Sequence, residues 1–407
     1  MPVRFVVLCH YLPLANDISG YGNLIMSVNM RIGFDAKRCF GNNTGLGNYS
    51  RTLLKSLGAL YPENEYHLYT PYIRKTTETN FTGDPCFHIH LPGTFFTSWW
   101  RSYAVTNRFK KDEINLYHGL SNEIPVNSGM KAIKSVVTVH DLIFKIYPGT
   151  YNYVDKYIYD LKFRYSCNHA GKIIAISENT KKDILEYYNI SPDKIEVIYQ
   201  ACNPLFYNLN SPEENAVVLN KYNIPKEYLL YVGSIEPRKN LKTLIKSYQY
   251  LRSGLKIPLV LIGKGGTYKK EIEKLINKTG IEKLVTWIDN LSNNEHLHSI
   301  YQSSSAFIYP SFYEGFGLPV AEALLSRTPV ITSVTSSLPE AGGPGSLYFN
   351  PSNPEQLAEN IEKVLTDSLL RQQMSDNGFD YAMKNFSADV VTKKMIGFYE
   401  NVLSNPQ

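Results

Sequence analysis

From Arg31 onward, apolar runs of strand length alternate with amphipathic stretches of helical length, and the alternation starts twice. The first series predicts strands at Arg31–Asp35, Glu65–Tyr69, Phe87–Leu91, Ile114–His118, Ser135–His140, Lys172–Ile176 and Ile195–Tyr199. Helical patterns fall between them at Asn48–Leu60, Tyr151–Asn168 and Asn179–Tyr188, the last entered through a capping serine, Ser177. A less regular stretch with Asn203-Pro204 and Ser211-Pro212 interrupts the pattern. Strands then resume at Leu229–Val232, Leu259–Ile262, Val285–Ile288, Ala306–Tyr309 and Val330–Thr332. Helical runs at Asn240–Arg252, Lys269–Lys278, Asn294–Gln302 and Leu318–Ser326 separate them. Such alternation reads as two doubly wound α/β units, parallel sheets covered by helices, facing a cleft at the carboxyl ends of their strands. The expected domains are residues 30–200 and 216–386, joined by a linker at 201–215.

The length of 407 residues and an apolar fraction of 43% suit two cores. No run approaches the roughly 20 apolar residues of a membrane span. Residues 1–29 hold a short apolar run at Phe5–Cys9 without a small-residue cleavage site, and read as an extension ahead of a domain that begins at Met30. Cys9, Cys39, Cys86, Cys167 and Cys202 are scattered and odd in number, which suits reduced thiols in a reducing, cytoplasmic setting. Residues 1–205 hold 22 Lys and Arg against 17 Asp and Glu, with 20 of each sign in the remainder, so the first half carries the whole net charge of +5. That excess suits peripheral contact with an anionic membrane or a phosphate-bearing acceptor, and equally a set of solvated lysines.

The sharpest local signal is Ser311 to Glu322, SFYEGFGLPVAE, after the apolar run Ala306–Tyr309. Gly315 and Gly317 let the chain turn tightly, Pro319 suits a first helical turn, and backbone donors around Phe316 and Leu318 point at an anion. Glu314 and Glu322 place two carboxylates at different heights in one cleft, and each can accept two hydrogen bonds from sugar hydroxyls. On spacing alone the pair serves equally well as a loop charge and a helix-dipole residue. Gly233-Ser-Ile-Glu-Pro-Arg238-Lys239 follows the strand at Leu229 and ends in two adjacent cations, which by themselves read more readily as a solvated helix start. Gly45 and Gly47 form a glycine loop ahead of a helix, and His140 ends a strand on the cleft side, with Asp141 beside it and His118 similarly placed on the strand before.

These blocks resemble the retaining GT-B glycosyltransferases of glycosyltransferase family 4. The likeness runs through Thr44–Tyr49, Val137–Leu142, Ala175–Thr180, Gly233–Leu241 and Ser311–Glu322, in the family's order. It implies two Rossmann-like domains, with the acceptor held by the first and the nucleotide-sugar donor by the second, and a final helix at 387–404 returning to pack on the first. It further implies that Glu322 binds the ribose, Glu314 the transferred sugar and Lys239 the diphosphate, and that the His140 imidazole contacts the donor sugar. Catalytic roles fall to Glu314, His140 and Lys239. The donor is lined by Gly45, Gly47, Gly233, Arg238, Lys239, Glu314 to Leu318, and Glu322. Ser234 stands where many members carry arginine, which leaves the role of Arg238 open.

No Asp-x-Asp triplet occurs, which fits a metal-independent transferase without a cofactor, and no metal site is evident from spacing. The function implied is transfer of a mannose-, glucose- or rhamnose-type hexose to a hydroxyl of a glycan or lipid-linked acceptor, in bacterial surface polysaccharide synthesis at the inner face of the membrane. No nucleic-acid partner is implied. The rival readings are a nucleotide-sugar epimerase on the same plan and a nucleotide-binding protein without turnover.

Overall fold

A computed structural model describes residues 29–405 apart from 43, 75–78, 94–95, 127–129, 131–132, 151, 290 and 292. The proposed extension, but for its last residue, and Cys9 lie outside the described residues. The first sheet contains β1 (Arg31–Asp35), β2 (Glu65–Tyr69), β3 (Phe87–His90), β4 (Leu116–Gly119), β5 (Lys134–Val139), β6 (Lys172–Ala175) and β7 (Ile195–Val197), in the order β3-β2-β1-β4-β5-β6-β7. The second contains β8 (Leu229–Val232), β9 (Leu259–Ile262), β10 (Val285–Ile288), β11 (Ala306–Tyr309), β12 (Val330–Ser333) and β13 (Leu347–Phe349), in the order β10-β9-β8-β11-β12-β13. Every pairing is parallel, so both sheets are wound alike and the strand order reverses between β1 and β4 and again between β8 and β11. Ligands of open α/β sheets bind outside the carboxyl ends of the strands at such reversals.

Sequence explains the burial. LLYV, LVLI and AFIY of β8, β9 and β11 are apolar on both faces, as a strand covered by helices on each side requires, and nearly all of these side chains are buried. Each fully buried Leu or Ile contributes about 1.5–3 kcal/mol. One apolar core fills the second half, and two more line the faces of the first sheet. Cys39, Cys86, Cys167 and Cys202 are buried free thiols. No described helix is long and apolar enough to cross a membrane.

Several boundaries differ from the sequence reading. The first long helix begins at Gly45 rather than Asn48, so both glycines of the expected loop form its first turn. The strand expected at Ile114 starts at Leu116, because Glu113 takes positive φ and the Ile114 N–H still bonds the helix carbonyl of Phe109. Strand β13 and the helices Pro354–Thr366 and Ser368–Phe386 were not anticipated.

The chain crosses between the halves twice, side by side. On the outward crossing, Phe206 is buried, and a helix starts at Pro212 through a capping box of Ser211 and Glu214. The return crossing leads into the helix Ala388–Ser404, whose Val391, Met395, Ile396 and Tyr399 join a core of the first half. The two crossings are tied by the Cys202 N–H donating to Phe386 O (3.0 Å) and the Ala388 N–H donating to the Tyr207 hydroxyl (2.7 Å).

Candidate active site

The loops after β8 and β11, which flank the reversal of the second sheet, bring distant residues together. Pro237 to Lys239 form one tight turn after β8, with Arg238 and Lys239 directed back toward the loop after β11. Lys239 Nζ donates to Glu314 Oε1 (2.7 Å) and to the Tyr309 hydroxyl (2.6 Å), and sits 5.1 Å from the Tyr309 ring centroid. Arg238 Nη1 lies 3.0 Å from the same Glu314 Oε1, and its Nη2 donates to Glu236 Oε1 (2.7 Å). Ser311 Oγ donates a further bond to Glu314 Oε1 (2.6 Å). Buried charges persist only when paired and hydrogen-bonded, and here two cations share one carboxylate. Burial alone would raise the Glu314 pKa, but Lys239 and Arg238 outweigh it and hold the carboxyl below its ordinary value. Burial pulls the Lys239 ammonium down while Glu314 opposes the fall. Arg238, left open by sequence, is a buried member of this cluster, and Glu314 and Glu236 raise its pKa against burial.

The Glu314 loop is held on both sides. From its own half, Ser336 Oγ accepts the Glu314 N–H (2.9 Å), while Ser337 Oγ donates to Glu314 O (2.9 Å) and Phe316 O (2.8 Å). From the first half, Ser177 Oγ and Thr180 Oγ1 donate to Gly315 O at 2.6 and 3.1 Å. A Cβ at Gly315 would lie 2.0 Å from His140 O, so only glycine permits this approach between the halves. Glu340 accepts the N–H groups of Glu178 and Asn179 at 2.6 and 2.9 Å, capping from the second half a helix of the first. Asn179 Nδ2 donates to the Tyr313 hydroxyl (2.8 Å), which in turn donates to Asp183. Sequence read Ser177 of the block Ala175–Thr180 only as a helix cap; in the structure Ser177, Asn179 and Thr180 also clamp the Gly315 loop. Tyr313 lay inside the Ser311–Glu322 block without a role of its own, and Asp183 and Glu340 carried no sequence signal beyond their chemistry.

Glu322 stands apart from the lysine cluster. It lies in the helix Leu318–Leu325 on the wall of a cleft of about 820 Å³, shared with Asn48, Arg51 and Thr52 of the first half. Burial raises its pKa to about 8, and the Tyr301 hydroxyl, 3.4 Å from Oε2, lowers it only in part. Leu318 lines the same cleft, and Phe316 stacks on Tyr199 beneath it. Gly233 follows β8, and a Cβ there would lie 3.1 Å from the Tyr231 hydroxyl.

The structure corrects two expectations from the first half. His140 Nε2 lies 2.8 Å from Leu120 O and Nδ1 lies 3.0 Å from Gln200 Nε2. A carbonyl only accepts, so Nε2 carries the proton, Nδ1 accepts from Gln200, and the ring has no nitrogen left for a sugar. Burial holds its pKa down to about 4, so the ring is neutral. Gln200 was missed, since nothing in sequence pairs it with His140. Gly47 is the second case. A Cβ there would lie 1.8 Å from Asn42 O, so this glycine serves helix packing rather than ligand approach, whereas Gly45 is open. Asp141 does reach across: burial raises its pKa, and Arg238, Glu314 and Lys239 all act on it electrostatically. His118 is fully buried between Thr138 Oγ1 (2.7 Å) and the Tyr399 hydroxyl (2.6 Å), a packing role.

Two like-wound halves that keep paired cations and acids where their strand ends meet define a GT-B glycosyltransferase. The first half matches the family described as Glycosyltransferase Family 4 over residues 44–204, and the second matches Glycosyl transferases group 1 over residues 215–381. The chain belongs to glycosyltransferase family 4. It is 29% identical to O-antigen chain mannosyltransferase B of Escherichia coli, over 88% of this chain and 96% of that one. It is 28% identical to the serotype-specific mannosyltransferase WbdA of Escherichia coli over 70% of its own length, and there it spans only 36% of the relative. In fold it is similar to Anabaena HepE in complex with UDP-glucose, with a TM-score of 0.71, 14% identity and coverage of 91% of this chain and 100% of that one.

Proposed function

We propose that this glycosyltransferase moves a hexose, with mannose foremost, from a nucleotide sugar to a hydroxyl of a growing surface glycan, with retention at the transferred carbon. The observation that carries the reading is the sharing of Glu314 between Lys239 and Arg238 at the carboxyl ends of β8 and β11. The mannosyltransferase names of the O-antigen relatives support the choice of sugar and acceptor class. In the proposed reaction the acceptor oxygen bonds the anomeric carbon as the carbon–phosphate oxygen bond breaks, and the hydroxyl proton passes to the leaving phosphate. Negative charge grows on the diphosphate, so Lys239 and Arg238, already in place, stabilise that state more than the ground state. Glu314 would then hold sugar hydroxyls and Glu322 the ribose.

The test is incubation with nucleotide sugars carrying mannose, glucose or rhamnose, followed by thermal melts and product analysis with a lipid-linked glycan acceptor. Stabilisation by one donor and a glycoside of unchanged anomeric configuration are expected. Conversion of the donor without acceptor would instead identify an epimerase, and binding without product a nucleotide-binding protein.

A peripheral place at the inner face of an anionic membrane is part of the proposal. The helix Tyr153–His169 exposes Tyr153, Val154, Tyr157, Ile158 and Leu161 beside Lys156, Lys162 and Arg164, a mixture suited to an anionic interface. Sedimentation with anionic vesicles, weakened by Val154→Asp with Tyr157→Asp, is the expected result; equal binding by the double variant would remove this part.

A further inference from the structure

Beyond the cleft, the outer edge of the first sheet carries a cluster that the transfer reaction does not use. Strands β2 and β3 alternate with period two, EYHLY beside FHIH, and their parallel register pairs His67 with His88 and Tyr69 with His90. Glu65, His67, His88 and His90 therefore share one face at the sheet edge. The His67 and His90 rings stack at 5.1 Å with 6° between planes, and His67 and His88 lie 4.8 Å apart. Glu65 Oε2 is 3.6 Å from His67 Nε2 and 4.0 Å from His88 Nε2, and the three ligand atoms lie within 4.8 Å of one another.

His67 is buried and its Nε2 has no hydrogen-bond partner, although it points at Glu65 and His88. Buried polar atoms are mostly satisfied by a protein group, a water or an ion, and this one faces two further ligand atoms. The rest of its surroundings already form a supporting shell. Arg108 Nη2 lies 3.1 Å from His90 Nδ1, His90 Nε2 lies 3.0 Å from His67 Nδ1, and Asp112 Oδ2 is 3.7 Å from His90 Nδ1. Metal-bound histidines characteristically donate their second N–H into such a chain.

We propose that Glu65, His67 and His88 bind a divalent cation of the zinc type, with water in the fourth position. Two imidazoles, which are borderline-soft, beside one hard carboxylate suit zinc, cobalt and nickel over magnesium or calcium. Tetrahedral bonds of about 2.0–2.1 Å set ligand atoms roughly 3.3 Å apart, so the cluster closes by about an ångström on binding. Glu65 and His88 are 38% and 43% exposed and free to rotate inward, while buried His67 is the fixed point. His67 and His90 both change tautomer with no net proton lost, so that His67 Nδ1–H donates to His90 and His90 Nδ1–H faces Asp112; Arg108, which then loses His90 Nδ1 as an acceptor, turns to Asp112, 3.6 Å from its Nε. Arg31, whose Nε is 3.2 Å from Glu65 Oε2, yields that oxygen and keeps its pairing with Glu113. The bound cation clips edge strand β3 to β2.

The test uses full-length protein free of any polyhistidine tag, titrated with Co2+ alone and then with Zn2+. One equivalent of Co2+ should produce the visible band of a tetrahedral site, Zn2+ should abolish it, and Zn2+ should raise the melting temperature. Exposed His88→Asn and Glu65→Gln, chosen to spare the fold, should each weaken binding at least about 100-fold, and the outer-shell His90→Asn should weaken it about 10–100-fold. Absence of the band at one equivalent overturns the proposal, as does unchanged affinity in both His88→Asn and Glu65→Gln.

Discussion

The two halves share one winding yet furnish the cleft with opposite chemistry. The second presents charges on short loops, Lys239 and Arg238 against Glu314, and keeps Glu322 apart from them on a helix. The first brings Asp141 up to that cluster, but its histidines spend their hydrogen-bonding capacity internally: His140 between Leu120 and Gln200, and His118, inside the core, between Thr138 and Tyr399. On the proposed mechanism, one half would stabilise developing charge while the other places its loop, through the Ser177 and Thr180 bonds to Gly315. A GT-B enzyme on this plan divides its labour between charge and position.

The largest effect should come from breaking the charged side. Lys239→Ala and Glu314→Ala should each lower kcat by about 10²–10³, on the order of 3 kcal/mol, with circular dichroism unchanged. Near-normal turnover in both would mean that the cluster is a structural ion pair.

The neutral side should reveal itself in stability rather than rate. Burial holds the His118 pKa at about 3 and that of His140 at about 4, both below the unfolded value of about 6.5. The unfolded chain therefore binds more protons in that interval. Stability should be complete above about pH 6.5 and fall as the pH drops toward 4, at about 1.4 kcal/mol per group per pH unit. Melting curves from pH 7 to 4.5 should show this slope, and His118→Gln should flatten it; an unchanged slope would deny that His118 is buried uncharged.

Glu322 sharpens the contrast from within the second half. With its pKa at about 8 it is protonated at neutral pH, whereas ribose hydroxyls donate best to a carboxylate. Binding of the free nucleoside diphosphate should tighten about fivefold as the pH rises from 7 to 8 and about twofold more to pH 9, level off above that, and lose this dependence in Glu322→Gln. Calorimetry across that range decides it.

The smallest effect tests the clamp. Ser177 Oγ caps its helix by accepting the Thr180 N–H and also donates to Gly315 O. Ser177→Ala should cost about 1 kcal/mol in urea unfolding and raise the donor KM more than it lowers kcat. A fall in kcat alone would give the first half a chemical role.

What the sequence disclosed follows from how information is laid along the chain. The doubly wound fold was legible because buried parallel strands are written as contiguous apolar runs such as LVLI at Leu259–Ile262. Glu314 and Lys239 were legible because each sits in a contiguous block next to a strand. The bond between them was not, since it depends on β8 and β11 lying adjacent. The same reason hid the Gln200 contact to His140 and the edge histidines, whose partners are separated by 60 and 21–23 residues and meet only through sheet pairing. Arg238 remained undecided because Ser234 stands where many members carry arginine, and only burial against Tyr313 and Glu314 shows what Arg238 touches. The imidazole of His140 was misjudged because strand-end position says nothing of what occupies its nitrogens.

The side-by-side passages near Cys202 and Ala388 carry a mechanical consequence. Two parallel straps laced together by the Cys202–Phe386 and Ala388–Tyr207 bonds bend readily about one line but resist torsion, in the way a strip hinge differs from a ball joint. Opening and shutting the enzyme should therefore follow a single arc that returns Gly315 to the same spot beneath His140 each cycle. Cutting the chain after Phe386 would leave a one-strap swivel with no fixed arc.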